Sequence, residues 1–175
     1  MSQKLVSLTT GLVTTVPDGS LRGKTRDIKD YKIMNQIGEG TYGIVYRALD
    51  IESGEIVALK RVRMEQENSG LPISALREIT LLRKLQHPNI VHVQDMASGV
   101  TLKSIYVVME YCHHDLGKLL AHMPVAFLES EVKCLVLQLL EGVRYLHRRF
   151  IIHRDLKVSN LLLTDKGILK VAEHC

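Results

Sequence analysis

From Tyr31 onward the chain alternates apolar and polar positions in short runs, "YKIMNQIGEG", "GIVYRALD" and "EIVALKRVRM", parted by Gly-rich or "ESGE"-type turns. A period of two bounded by turn residues predicts a meander of strands. "LPISALREITLLRKLQHPN" then changes period: Leu71–Pro72 opens a predicted helix, Ile79 and Leu82 share one face, and "HPN" ends it. "NIVHVQDMA" and "KSIYVVMEYC" return to strand alternation. After Cys112 the pattern turns helical: Val132, Leu135, Val136, Leu139, Leu140, Val143 and Leu146 form one stripe of a helix over 130–148 that needs a partner surface. Two short strands follow, "NLLLT" and "ILKVA", joined by the turn signal "DKG". Residues 1–30 are rich in Ser, Thr, Gly and Lys without periodicity and predict a flexible extension. The order is therefore strands plus one helix, then a mainly helical part.

Composition narrows this little. With 175 residues, 46% hydrophobic and 24% charged, the chain has the content of an ordinary globular domain or of a large piece of a bigger one. A net charge of +4 with 5% aromatics and no long Lys/Arg run argues against a nucleic-acid surface built on stacking. Cys112, Cys134 and Cys175 are odd in number and widely spaced, which predicts free thiols in a reducing compartment. The first residues carry neither a secretory pattern nor Met-Gly, and no stretch is apolar enough to span a membrane, so the expected location is nucleus, cytoplasm or both.

Three strings carry candidate chemistry. In "GEGTYGIV", Gly38, Gly40 and Gly43 keep a G-x-G-x-x-G spacing that suits either a dinucleotide-binding turn or a loop laid over phosphates. A dinucleotide site needs a helix directly afterwards, whereas Ile44, Val45 and Tyr46 continue as strand, so a glycine-rich hairpin over phosphates fits better. "VALK" puts Ala58 and Lys60 on one face of the next strand, where the ammonium can meet phosphate oxygens, and Glu78 on the first helix is an anionic partner able to fix it. "HRDLKVSN" supplies His153, Arg154, Asp155, Lys157 and Asn160: a carboxylate to accept a hydroxyl proton, a cation for a transferred phosphate, and an amide carbonyl for Mg²⁺. His113 and His114 beside Cys112 form no ligand set at helical or knuckle spacing, so no metal site is expected there.

In this order the strings resemble the protein kinases over residues 31–172. "GEGTYGIVYRA" and "PISALREI" resemble the cyclin-dependent kinases, Ser/Thr kinases whose first helix carries a cyclin-contacting string. "IVALKRVRM", "VKCLVLQ" and "FIIHRDLKVSNLLLTDKG" are most similar to the cyclin-dependent kinase 10 branch. The resemblance implies an α+β protein-kinase-like fold over 31–175. Its N-lobe, 31–112, would be complete, with a five-stranded antiparallel sheet and one helix. Its C-lobe, 113–175, would be truncated and mainly helical. It implies ATP and Mg²⁺ as cofactors. Ile37, Gly38, Glu39, Gly40, Thr41, Tyr42, Gly43, Val45, Ala58 and Lys60 would line the nucleotide from above. Met109 would be the gatekeeper, the backbone of Glu110 and Cys112 would hold adenine, and Asp115 would lie near the ribose. Asp155, Lys157, Lys60 and Glu78 would be the catalytic set and Asn160 a magnesium ligand. Thr41 and Tyr42 match the inhibitory phosphorylation pair, while Arg77 and Arg154 would meet a phosphorylated activation loop. Implied partners are a cyclin contacting 71–79, with an M-type cyclin one candidate, and a protein substrate, without nucleic acid or membrane.

The ending departs from the pattern. "KVAEHC" places Glu173, His174 and Cys175 where the family has Asp-Phe-Gly, and the sequence stops before an activation segment. Glu173 keeps a carboxylate at a magnesium-ligand position, one methylene longer than Asp. A misplacement near 1 Å can cost about 10²-fold in rate, so little or no phosphotransferase activity is expected of this chain. The alternative expectation is a shortened, non-catalytic isoform that binds cyclin.

Overall fold

The computed structural model describes residues 2–6, 13–17, 26–40, 43–62, 79–99 and 104–172. Its strands are β1 (Ser2–Val6), β2 (Val13–Pro17), β3 (Arg26–Asp27), β4 (Tyr31–Gly40), β5 (Gly43–Asp50), β6 (Ile56–Val62), β7 (Val93–Ser98), β8 (Ile105–Glu110), β9 (His114–Asp115), β10 (Leu161–Leu163) and β11 (Leu169–Val171). Helices α1 (Leu116–His122) and α2 (Glu129–His147) lie between β9 and β10. The main sheet runs β3-β7-β8-β6-β5-β4. Strands β4 to β8 fall on the alternating runs and make the five-stranded antiparallel sheet that the resemblance implies. No helix among the described residues is long and apolar enough to cross a membrane.

The amino-terminal region differs from the expected flexible extension. β1 and β2 pair antiparallel, and β3 joins β7 as a parallel edge strand. Asp27 accepts the Lys29 N–H, and the Asp30 carboxylate accepts the Asp27 N–H, closing a single 3₁₀ turn before β4. The sheet therefore begins at Arg26, ahead of the boundary at 31. The cause is a long-range ion pair from Arg26 to Asp50, invisible to local periodicity.

The two sheet faces feed two cores. Tyr31, Ala48, Val57, Leu59, Ala97 and Val108 close the outer one. The inner one gathers Val93 and Val107 from the sheet, Ile79, Leu82 and Leu85 from the segment before β7, and Leu116, Leu146, Leu161, Leu163, Leu169 and Val171 from the second half of the chain. One continuous apolar core thus crosses between the two parts. Each fully buried aliphatic side chain in it contributes about 1.5–3 kcal/mol.

Helix ends differ from the pattern in one place. The helix predicted to run up to "HPN" is helical only through Leu82 among its described residues. Lys84 N–H and Leu85 N–H bond back to Leu81 and Leu82 carbonyls, which tightens the last turn three residues at a time.

Ile90 and Val91, which alternation assigns to β7, leave the sheet instead. Ile90 bridges Val171 in parallel, Val91 N–H bonds Val171 O, and Val171 N–H bonds Asn89 O. On α2, Leu135, Leu139 and Leu146 meet the inner core, whereas Val136 and Leu140 stay 46% and 57% exposed, so only one edge of the predicted stripe is covered.

Candidate active site

The glycine-bearing strands meet tip to tip, with Gly38 opposite Val45 and Gly40 opposite Gly43. Gly43 sits at φ 144, a conformation that only glycine adopts without strain. In the next ladder Val45 stands opposite Lys60, and Lys60 opposite Val107. Ala58 pairs with Met109 two positions along. Directly opposed residues project to the same side of an antiparallel sheet. Val45, Ala58, Lys60 and Met109 therefore share the face that carries Val107 into the inner core, as the sequence predicts for Ala58 and Lys60. Ile37 and Glu39 lie on β4 beside them. Thr41, Tyr42, Arg77, Glu78 and Glu173, and residues 71–78 of the cyclin-facing string, lie outside the described residues.

Glu110 ends β8. Its carboxylate accepts the His92 N–H at 2.6 Å and pairs with Lys170 Nζ at 2.8 Å, so the side chain is committed inward while the backbone continues to Cys112. Asp115 caps α1, its carboxylate accepting Lys118 N–H at 3.1 Å. β9, which contains Asp115, pairs with β10 through Asp115 opposite Leu162. That pairing ties the stretch after Cys112 to the strand that follows Asn160.

The second set is built by how α2 ends. Phe150 adopts a left-handed φ of 61, and Ile151 N–H bonds Leu146 O, which stops the helix and turns the chain back across its own end. His153 Nε2 bonds Ala172 O at 2.9 Å, and Ala172 N–H bonds Asn160 O at 2.9 Å. The loop is thus clamped to the residue that follows β11. Arg154 takes φ 64, which costs a non-glycine residue roughly 1 kcal/mol and bends the chain at the residue before Asp155. Asn160 is buried, and its Nδ2 donates to Asp155 O at 2.6 Å and Asp155 Oδ2 at 3.1 Å. Lys157 Nζ reaches the same Oδ2 at 2.9 Å. Asp155, Lys157 and Asn160 therefore form one bonded cluster with both charged groups half-exposed.

A model of the protein kinase domain matches residues 31–174. The chain belongs to the protein kinase family. Among curated relatives, this chain is 59% identical to human cyclin-dependent kinase 10 over 159 residues, which covers 91% of this chain and 44% of that protein. It is 53% identical to human cyclin-dependent kinase 11A, covering 85% of this chain and 19% of that protein. It is 52% identical to cyclin-dependent kinase G-2 of Oryza sativa subsp. japonica, covering 85% and 21%. The chain thus spans less than half the length of these relatives.

Sequence reasoning missed three residues that hold the site together. Asn89 is buried and donates to Leu169 O at 2.9 Å and to Gln138 Oε1 at 3.1 Å. Gln138 Oε1 also accepts Leu169 N–H at 2.9 Å, so α2 and residue 89 grip β11 from two sides. Lys170 is the third. In a strand pattern it reads as the solvent-facing position between Leu169 and Val171, and no local signal marks it as buried.

The two described thiols differ in chemistry. Burial, assisted by Glu110, pushes the Cys112 thiol up to about 12, whereas Cys134 is exposed on α2. Only the thiolate attacks an alkylating agent, and at pH 8 a group titrating near 12 holds a thiolate fraction on the order of 10⁻⁴. Iodoacetamide at pH 8, followed by peptide mapping, is expected to label Cys134 at least tenfold faster than Cys112. Equal labelling would mean that Cys112 is not enclosed.

Proposed function

We propose that this kinase chain belongs to an ATP-dependent, cyclin-dependent Ser/Thr kinase. The reaction is γ-phosphoryl transfer from Mg-ATP to a protein hydroxyl. The observation that carries the reading is the bonded cluster of Asp155, Lys157 and Asn160, which joins a proton acceptor, a phosphate-neutralising cation and a hard oxygen donor within one short loop. In the proposed reaction the substrate hydroxyl oxygen forms the bond to Pγ, its proton passes to Asp155, and the bond to ADP breaks. Lys157 offsets charge on the transferring group. It is neutralised by Asp155 until phosphate arrives. Lys60, on the face beside Val45 and Ala58, holds the phosphates from the sheet side.

The residues suit magnesium. Asn160 Nδ2 donates to Asp155, and the amide carbonyl of the same side chain is a hard oxygen donor of the kind that Mg²⁺ takes, in small number, alongside phosphates and water. Asn160 would hold it, and it would supply charge neutralisation at the phosphates. Because Glu173 stands where the family has Asp, we infer that nucleotide binding survives better than transfer. Cyclin, contacted through 71–79, and nuclear or cytoplasmic residence follow from the same family reading.

The test is Mg-ATP binding by calorimetry alongside phosphate incorporation into a Ser peptide with a cyclin present. Micromolar to millimolar binding that Lys60→Met weakens at least tenfold, with incorporation no higher than in Asp155→Asn, is the expected result. Incorporation well above that variant would overturn the attenuated activity. No nucleotide binding combined with cyclin capture would favour the non-catalytic cyclin-binding module.

A further inference from the structure

Lys170 is a buried charge that the proposed chemistry does not use. It is 9% exposed on β11, between Leu169 and Val171, and its Nζ lies 2.9 Å and 2.8 Å from the two carboxylate oxygens of Glu110. Burying an ammonium is costly unless it is paired, and an aliphatic residue would pack there without that cost. The placement of its partner gives the pair a task. Glu110 is the residue at which β8 gives way to the link between the two parts of the molecule.

Three chain segments converge on this one carboxylate. Its Oε1 accepts the His92 N–H at 2.6 Å, and Glu110 N–H returns a bond to His92 O at 3.0 Å. Residues 89–91 are in turn bonded to Val171 on both sides, through Asn89 O and Val91 N–H. The segment before β7, the end of β8 and β11 thus close a ring with the Glu110–Lys170 pair as its third side. Next along the link, the Cys112 thiol feels both charges, Glu110 raising its pKa and Lys170 lowering it.

We propose that the Glu110–Lys170 pair is a strut that fixes the inter-lobe link against β11, which makes Lys170 a positioning residue for the backbone of 110–112. This rests on the nucleotide-binding reading only where it concerns adenine. The strut itself is a property of the nucleotide-free chain. Held by the strut, the link presents its backbone groups pre-arranged, and a ligand that uses them is spared the ordering cost.

Two readouts test it separately. The first is amide hydrogen exchange in the nucleotide-free chain, comparing wild type with Lys170→Met, which keeps bulk and loses charge, and with Lys170→Arg, which keeps charge and donors. Lys170→Met is expected to speed exchange at His92 and Cys112 by about tenfold or more while β4–β6 amides stay as in wild type, and Lys170→Arg is expected to restore most of the protection. Unchanged exchange in Lys170→Met overturns the strut. Faster exchange throughout β4–β6 in both variants overturns it too, since Lys170 would then serve general stability. The second readout is adenosine affinity, which involves no phosphate or magnesium. A rise in Kd of about fivefold in Lys170→Met, reversed in Lys170→Arg, supports the positioning role, and an unchanged Kd in a chain that binds adenosine overturns it. If the wild-type chain binds neither adenosine nor ATP, the nucleotide reading falls, while the exchange result still decides the strut.

Discussion

Asp50→Ala is expected to destabilise the sheet domain by about 3 kcal/mol, a loss of about 6–12 °C in Tm for a chain of this size. Asp50 is 6% exposed and accepts four hydrogen bonds: Arg26 Nη1 at 2.6 Å, Arg26 Nη2 at 2.8 Å, and the N–H groups of Glu52 and Ser53 at 2.9 Å and 3.4 Å. Alanine leaves a largely enclosed guanidinium stacked on Tyr31 without its carboxylate, and it strips the β5–β6 turn of its acceptor. The neighbouring contact from Arg26 to Glu52 cannot substitute, because Glu52 is exposed and pairs of that kind are worth little.

The same pair predicts a pH dependence. The Arg26 hydrogen bond holds the Asp50 carboxyl at about 2, below its ordinary value near 3.9. A carboxylate depressed in the folded state adds stability that is present above its unfolded pKa and is lost as pH falls through the folded one. The urea midpoint of the wild type is therefore expected to fall between pH 4 and pH 2, and that of Asp50→Asn to fall less across the same window. Asn keeps one acceptor for the turn and is expected to cost less than Ala. A loss below about 1 kcal/mol for Asp50→Ala would mean that the pair behaves as a surface contact.

The second large effect is at Gly142, in the middle of α2. Helix propensity alone favours Gly142→Ala by about 1 kcal/mol. Packing opposes it. A Cβ there would lie 2.9 Å from Asn89 O, 3.3 Å from Asn89 Cβ and 3.3 Å from Ile90 Cδ1. The closest of these is a backbone carbonyl that already accepts Val171 N–H, so it cannot withdraw without disturbing β11. We expect packing to win: Gly142→Ala loses about 1 kcal/mol net and Gly142→Val about 3 kcal/mol, read from urea unfolding. A gain in stability for Gly142→Ala would show that α2 can move away from residues 89–90 at little cost. The loss is expected to reach the site as well, because Ala172, next to β11, clamps both His153 and Asn160.

Much of the site was legible because it is local. Asp155, Lys157 and Asn160 lie in one octapeptide, so sequence proximity alone keeps them near one another, while the clamp to Ala172 sets their arrangement. The glycines and Lys60 were legible through alternation, which needs only neighbouring strands. The inward commitment of the Glu110 side chain was not legible, nor was the use of Asp115 as a helix cap rather than only as a polar group near a ribose. Each depends on what stands opposite.

The sequence by itself determined the strand runs, the α2 stripe, the β10–β11 hairpin and the order of the chemical strings. Period and turn chemistry act within a few residues and need no partner to be read. Only the tertiary structure decided that the sheet starts at Arg26, that residues 89–91 turn from β7 to Val171, and that Lys170 is buried. Those outcomes come from bonds spanning 24, 80 and 60 residues, from Arg26 to Asp50, Asn89 to Leu169 and Lys170 to Glu110. At such separations the burial of a polar group depends on which distant partner satisfies it, and no window of sequence contains both members of the pair.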